Sequence, residues 1–172
     1  MSSLPLRRML VISLGNPGAM RTTYHSAGHM ILESLPDHMP LGQSEFSSQR
    51  IGRQTALTSV GRRHTLVQSP TLMNVSGPWV ARAYQDTLGE HGLAPSELGV
   101  IVVHDDLEEA LGVVKIREWT RSPRGHNGDK SDVSEFVLSQ MPRRDRGVED
   151  SEQKVFQALA QLEEGWGGEV YP

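Results

Sequence analysis

The apolar run from Met9 to Leu14 has strand length, and Ser26 to Leu35 places Ala27, Met30, Ile31 and Leu35 at helical spacing, which predicts a β-α start. Pro36 to Ser48 reads as loop, and Arg53 to Val60 with His64 to Gln68 reads as a hairpin turning at Gly61-Arg62-Arg63. A helix is expected next, capped by Ser76 or Gly77, with Pro78 in its first turn and Val80, Ala83, Tyr84 and Leu88 on its inner face. Leu98 to Val103 is a short continuous apolar run, the pattern of a strand covered on both faces, and Val113 to Arg117 reads as a further strand. Val148, Val155, Leu159 and Leu162 mark a terminal amphipathic helix. The order β-α-ββ-α-β-β-α predicts an α/β fold, a three-layer single domain over residues 1–172 with a mixed β-sheet flanked by helices.

Two of these strands discharge polar residues at their carboxyl ends, Asn16 after the first and His104-Asp105-Asp106 after Leu98 to Val103. In open α/β sheets ligands bind at that edge, so Asn16 and Asp105 are expected to face one crevice. Pro17 biases Asn16 away from the helical region and Gly18 can take the positive φ of a tight turn, giving the Asn16 amide a fixed exit direction. Side chains alternate along a strand, so His104 is expected on the face opposite Asp105, as a structural residue.

Composition narrows the chemistry. The 172-residue chain has no cysteine, which removes disulfides, thiol nucleophiles and Cys-ligated zinc together. No apolar run approaches a membrane span, and Met1 to Arg8 is too short for a secretory signal, so a soluble protein is expected. A net charge of -4 argues against indiscriminate nucleic-acid binding. The stretch from Lys115 to Lys130 nevertheless holds five basic residues against two acidic ones, a local stripe able to grip a phosphate backbone.

Five short motifs then recur in one order within about 115 residues: Gly15-Asn16-Pro17-Gly18, His25, Met73-Asn74-Val75-Ser76-Gly77, His104-Asp105-Asp106-Leu107 and Gly125-His126-Asn127-Gly128. In this order and spacing the chain resembles the bacterial-type peptidyl-tRNA hydrolases, which cleave the ester joining a peptide to the terminal ribose of tRNA. The resemblance implies that His25 is the general base and that Asp105 holds its imidazole in the productive tautomer. A histidine titrates near neutrality and a carboxylate both orients the ring and stabilises its protonated form, so the chemistry is sound. Asn16 joins them as a catalytic amide; Met73, Asn74, His126 and Asn127 are implied to bind substrate, with Asn16, Met73, Asn74 and Asn127 lining one crevice. Neutral amides suit an enzyme that accepts any peptide, and Met73 offers an adaptable apolar contact. Arg117, which aligns with the family's phosphate-clamp lysine, and Arg121, Arg124 and Lys130 are expected on tRNA phosphates. Such an ester needs no metal or cofactor, and none is expected. Peptidyl-tRNA is the expected partner of a monomer without a membrane or an obligate protein partner, placed in the cytoplasm with the mitochondrion as the alternative.

The chain also departs from the family pattern. Thr23-Tyr24-His25-Ser26 stands where the family usually has Thr-Arg-His-Asn, with one residue fewer after the turn, and Thr120 to Arg124 replaces a Gly-rich approach to Gly125-His126-Asn127-Gly128. Asp129-Lys130-Ser131 runs directly into Asp132 to Leu138, so a helix and a strand of the family, roughly two dozen residues at typical element lengths, are expected to be absent near residues 131–132. That strand carries the family's second phosphate-clamp residue. Two other readings follow: a catalytically weak RNA-binding relative of the same fold, and a metal-dependent phosphohydrolase using Asp105, Asp106 and Glu108, which strand alternation disfavours.

Overall fold

A computed structural model describes residues 7–39, 42–105, 113–115 and 157. Five strands form one sheet in the order β2-β3-β4-β1-β5: β1 is Arg8–Ser13, β2 Ser47–Ile51, β3 Gln54–Val60, β4 His64–Gln68 and β5 Leu98–Val103. β1 runs parallel to both β4 and β5, whereas β2, β3 and β4 are joined antiparallel, so the sheet is mixed as expected. The fold is α/β, and two helices of the described residues lie on opposite sides of the sheet: α1 spans Ala27–Ser34 and α2 spans Gly77–His91.

The unbroken apolar run of β1 is explained by these two layers. Met9 and Val11 pack with Leu32, Leu35 and Leu66 on the α1 side, while Leu10 and Ile12 pack with Val67, Trp79, Ala83 and Leu98 on the α2 side. Alternate side chains enter opposite cores, so between Arg8, which opens the strand, and Ser13 no position is left for a polar residue. β5 differs from the expectation of cover on both faces. Leu98 and Gly99 are buried but Val100 to Val103 are half-buried.

Three further expectations are corrected. The stretch read as loop contains a short 3-10 turn at Leu35–His38, and its last residues, Ser47 and Ser48, already belong to β2. Four of the five β2 residues are exposed on an edge strand, so no alternation of apolar and polar positions marks it. Arg53, expected to begin a strand, sits with Gly52 in a two-residue hairpin turn in which both have positive φ, 65° and 60°. The expected inner face of α2 does meet the core: Ala83 is buried within it and Val80, Tyr84 and Leu88 pack against it partly covered, with Trp79 and Thr87 fully buried beside them. The helix presents its widest side chain, Trp79, to the sheet and closes on Ile51, whose carbonyl accepts the indole N–H at 3.2 Å. Of the expected strand from Val113 to Arg117, the described residues Val113 to Lys115 are not in a strand; residues 116–138, with the expected gap, and the terminal amphipathic pattern at Val148, Val155, Leu159 and Leu162 lie outside the described residues.

Candidate active site

The carboxyl ends of β1, β4 and β5 meet at one edge of the sheet. Leu14 N–H donates to the Val103 carbonyl at 2.8 Å and Ser69 N–H to the Ser13 carbonyl at 3.0 Å, so the three chains leaving the sheet remain in register beyond the strands. This is the point where β1 has a parallel neighbour on either side, the place where open α/β sheets bind ligands. Asn16, the Met73 loop and Asp105 follow directly from these three strand ends.

After Asn16, Pro17 is extended and Gly18 takes φ +68°, turning the chain into two successive 3-10 turns, Gly18–Thr22 and Tyr24–Ser26. The second carries His25. Its Nδ1 lies 2.9 Å from Asp105 Oδ2, although the two residues are 80 apart in sequence. The side chains retain only 20% and 12% of their exposure, so the contact is held largely out of water, where a charge interaction is stronger. With Nδ1 donating to the carboxylate, Nε2 carries the free lone pair and is the ring's basic atom. Asp105 Oδ1 is buried and has no hydrogen-bond partner among the described residues.

What brings His25 to Asp105 is the tight seat of α1. Gly28, in the first turn of that helix, lies so close to the strand ends that a Cβ there would come within 2.8 Å of the Val103 carbonyl oxygen and 3.1 Å of that of Leu14. Replacing a helical glycine by alanine ordinarily stabilises by about 0.4–1 kcal/mol. Against two main-chain oxygens, neither of which can swing aside, the overpacking cost of about 1–3 kcal/mol wins. Gly28→Ala is therefore expected to lower the unfolding free energy and to lengthen the His25–Asp105 contact; an unchanged melting temperature with unchanged activity would refute this account of the seat. A glycine within a helical pattern was the available sequence signal, since it weakens the helix and calls for a packing reason.

Asn16 is 6% exposed and is held at both ends. Its N–H donates to Ser26 Oγ at 2.9 Å, and its Oδ1 accepts the Met73 N–H at 3.2 Å. The amide is therefore less versatile than its residue type suggests: its oxygen is committed to the main chain, and Nδ2 is what it can offer to a ligand. Met73 is further fixed because Ser76 Oγ donates to its carbonyl at 2.9 Å. Ser76 is the N-cap of α2 as expected, but its side chain makes no capping bond and serves the Met73 turn instead. Met73 is half-buried, Asn74 is exposed, and the flanking Leu72 and Val75 are large exposed apolar side chains at 49% and 56%.

His104 is exposed, and its Nδ1 lies 2.7 Å from the Asp105 carbonyl oxygen. It takes no part in the His25 contact. Behind the site, a histidine that carried no sequence signal is fully enclosed: His29, on α1, is 2% exposed with Nδ1 2.6 Å from Ser13 Oγ. Burial, with a smaller contribution from the Arg21 charge, lowers its pKa to about 4, against a hydrogen bond to the Ser69 main chain that favours the charged form. His29 is thus neutral at neutral pH. His126, Asn127, Arg117, Arg121, Arg124 and Lys130 lie outside the described residues, as do Asp106 and Glu108 of the metal reading. Among the described residues no group of three or more His, Cys, Asp or Glu side chains could hold a metal ion, and Asp105 is engaged with His25 instead.

Residues 10–161 match the family model described as "Peptidyl-tRNA hydrolase". The chain is similar to a peptidyl-tRNA hydrolase from Moorella thermoacetica, 33% identical over 145 residues that cover 81% of this chain and 70% of that protein. It is also similar to a probable peptidyl-tRNA hydrolase from Mus musculus, 34% identical over 140 residues covering 81% and 65%. Among solved structures, the crystal structure of a peptidyl-tRNA hydrolase from Acinetobacter baumannii superposes with a TM-score of 0.62 at 21% identity, covering 99% of each chain, a likeness of fold.

Proposed function

The chain belongs to the peptidyl-tRNA hydrolase family, and from the imidazole–carboxylate pair at its sheet edge we infer that it hydrolyses the ester between peptide and tRNA. The single observation that carries this reading is the 2.9 Å contact of His25 Nδ1 with Asp105 Oδ2 beside the anchored amide of Asn16. A water facing His25 Nε2 attacks the ester carbonyl carbon while its proton passes to the ring, and Asp105 stabilises the imidazolium that forms. The carbonyl oxygen becomes an oxyanion, to which Asn16 Nδ2 donates a hydrogen bond. Collapse breaks the bond to the ribose oxygen, which takes the proton back from the imidazolium, giving a free peptide acid and a tRNA with its terminal hydroxyl restored.

Met73 and Asn74 stand beside Asn16 on the exposed side and would meet the peptide. Asn127 and His126 are assigned to the substrate and Arg117, Arg121, Arg124 and Lys130 to tRNA phosphates by their motif and their charge. Discrimination against aminoacyl-tRNA follows if the site pairs with a peptide amide, because a free charged amine would be left unsatisfied. Among the described residues no helix is long and apolar enough to cross a membrane; a cytoplasmic monomer is the accompanying proposal. The pairing of His25 with Asp105 favours an enzyme over the RNA-binding relative without turnover.

The test is release of tRNA from an N-acetylated aminoacyl-tRNA by the purified chain, with unmodified aminoacyl-tRNA as the control. Turnover of the first and not the second is expected, whereas tRNA binding without release would favour the RNA-binding relative. In the same preparation, log Kd for tRNA should rise linearly with log salt, each phosphate contact adding about 0.7–0.9 to the slope. Joint replacement of Arg121 and Arg124 by alanine should reduce that slope by about 1.5; an unchanged slope would remove this stretch from the interface.

A further inference from the structure

We propose that Ser26, the residue that departs from the family pattern beside His25, is a positioning residue that sets the Asn16 carboxamide relative to the His25 base; the proposal rests on the hydrolytic reading above. Ser26 is fully buried, so its hydroxyl has no access to substrate. Its contacts instead join the two halves of the site. Ser26 Oγ accepts the Asn16 N–H at 2.9 Å and lies 2.9 Å from the Met20 carbonyl oxygen and 3.3 Å from that of Asn16. The single hydroxyl hydrogen can serve one of those carbonyls while the oxygen continues to accept from Asn16.

The consequence is a short mechanical chain. His25 and Ser26 share one 3-10 turn. Ser26 holds the main chain of Asn16, the Asn16 side chain holds the Met73 N–H, and Ser76 holds the Met73 carbonyl. The amide donor and the base are thereby referred to the same turn, and a shift of one moves with a shift of the other. Removing the Ser26 hydroxyl leaves the Asn16 N–H buried without its partner and frees the turn to pivot between Gly15 and Pro17. A misplacement of the order of 1 Å at a reacting centre can cost about 10²-fold in rate. Because the Asn16 donor acts on charge that develops only in the transition state, the loss should fall on kcat and leave KM nearly unchanged.

The experiment is a double-mutant cycle on turnover of N-acetylated aminoacyl-tRNA. Ser26→Ala is expected to lower kcat about 10- to 100-fold with KM changed by less than about threefold. In an Asn16→Ala background, where no carboxamide remains to be aimed, Ser26→Ala should cost less than about threefold. Equal losses in both backgrounds would overturn the proposal and assign Ser26 a purely structural role. Should Ser26→Ala not fold, Ser26→Cys fills the same space with a poor acceptor and enters the same cycle with the same expectations. An active wild-type chain with additive losses refutes the positioning role alone; a wild-type chain without turnover refutes the hydrolytic reading, and this proposal with it.

Discussion

His25→Ala is expected to lower kcat by about 10²–10⁴-fold while leaving tRNA affinity and melting temperature close to those of the wild type. Under the proposed mechanism, removing the imidazole deletes the atom that accepts the proton from water, and among the described histidines neither of the two nearest the site can replace it: His29 is sealed behind β1 and His104 faces the Asp105 carbonyl. Asp105→Asn tests the other half of the pair. It keeps the shape and the exposure but replaces a carboxylate, which only accepts, with an amide that can also donate, so the tautomer with Nε2 free is no longer enforced and the imidazolium loses its counter-charge. A loss of the same order, about 10²–10⁴-fold, is expected for a carboxylate that orients and stabilises a catalytic histidine. The two losses should be far from multiplicative, because Asp105 acts through the ring that His25→Ala has already removed. Turnover by the Asp105→Asn chain within threefold of wild type would show that the 2.9 Å contact is structural and that another group orients the base.

The second large effect concerns stability rather than rate. In the unfolded chain His29 titrates near 6.5, and in the folded protein near 4 because burial opposes its charged form. Between these values the unfolded state binds more protons than the folded one, so stability falls as the pH is lowered through that window. Above about 6.5 the ring is neutral in both states and contributes no pH dependence; below about 4 it is charged in both and the loss levels off. The whole window corresponds to about 3 kcal/mol, a large share of the 5–15 kcal/mol typical of a domain. Urea midpoints of wild type and His29→Gln, measured from pH 4 to pH 7, should therefore converge as pH falls, the variant being less stable at pH 7 and losing less on acidification. Parallel curves would exclude His29 as the source. The remaining histidines and carboxylates titrate in both proteins and cancel in the difference.

Much of the architecture was legible because it rests on local periodicity. β1, β4, β5, α1 and α2 were read within a residue or two at the ends described, since each carries either an apolar run or a 3.6-residue stripe that only one kind of element can bury. β2 escaped for the converse reason: an exposed edge strand has no buried face to impose a pattern. The turn that joins it to β3 is equally silent, because Arg53 adopts φ +65° only under tertiary constraint. Asp86 accepts the Gly52 N–H at 2.7 Å, Arg82 donates to the Gly52 carbonyl at 3.3 Å, and Trp79 holds Ile51, three α2 side chains spaced along one helix face.

The site divides along the same line. Sequence by itself determined which residues are the candidates for chemistry: an amide locked before a proline at a strand end, a histidine just after it, and an aspartate at the end of a second apolar strand are all local facts, and their order supplied the family. Only the tertiary structure decided how they are placed. The meeting of His25 and Asp105 across 80 residues depends on β1 and β5 pairing in parallel and on Gly28 letting α1 press against both strand ends. The commitment of the Asn16 oxygen to Met73, the burial of Ser26 beneath the turn and the depressed pKa of His29 likewise arise from atoms brought close by the fold. Hydrogen-bond direction and desolvation depend on the three-dimensional neighbours of a group, and one-dimensional spacing carries no record of them.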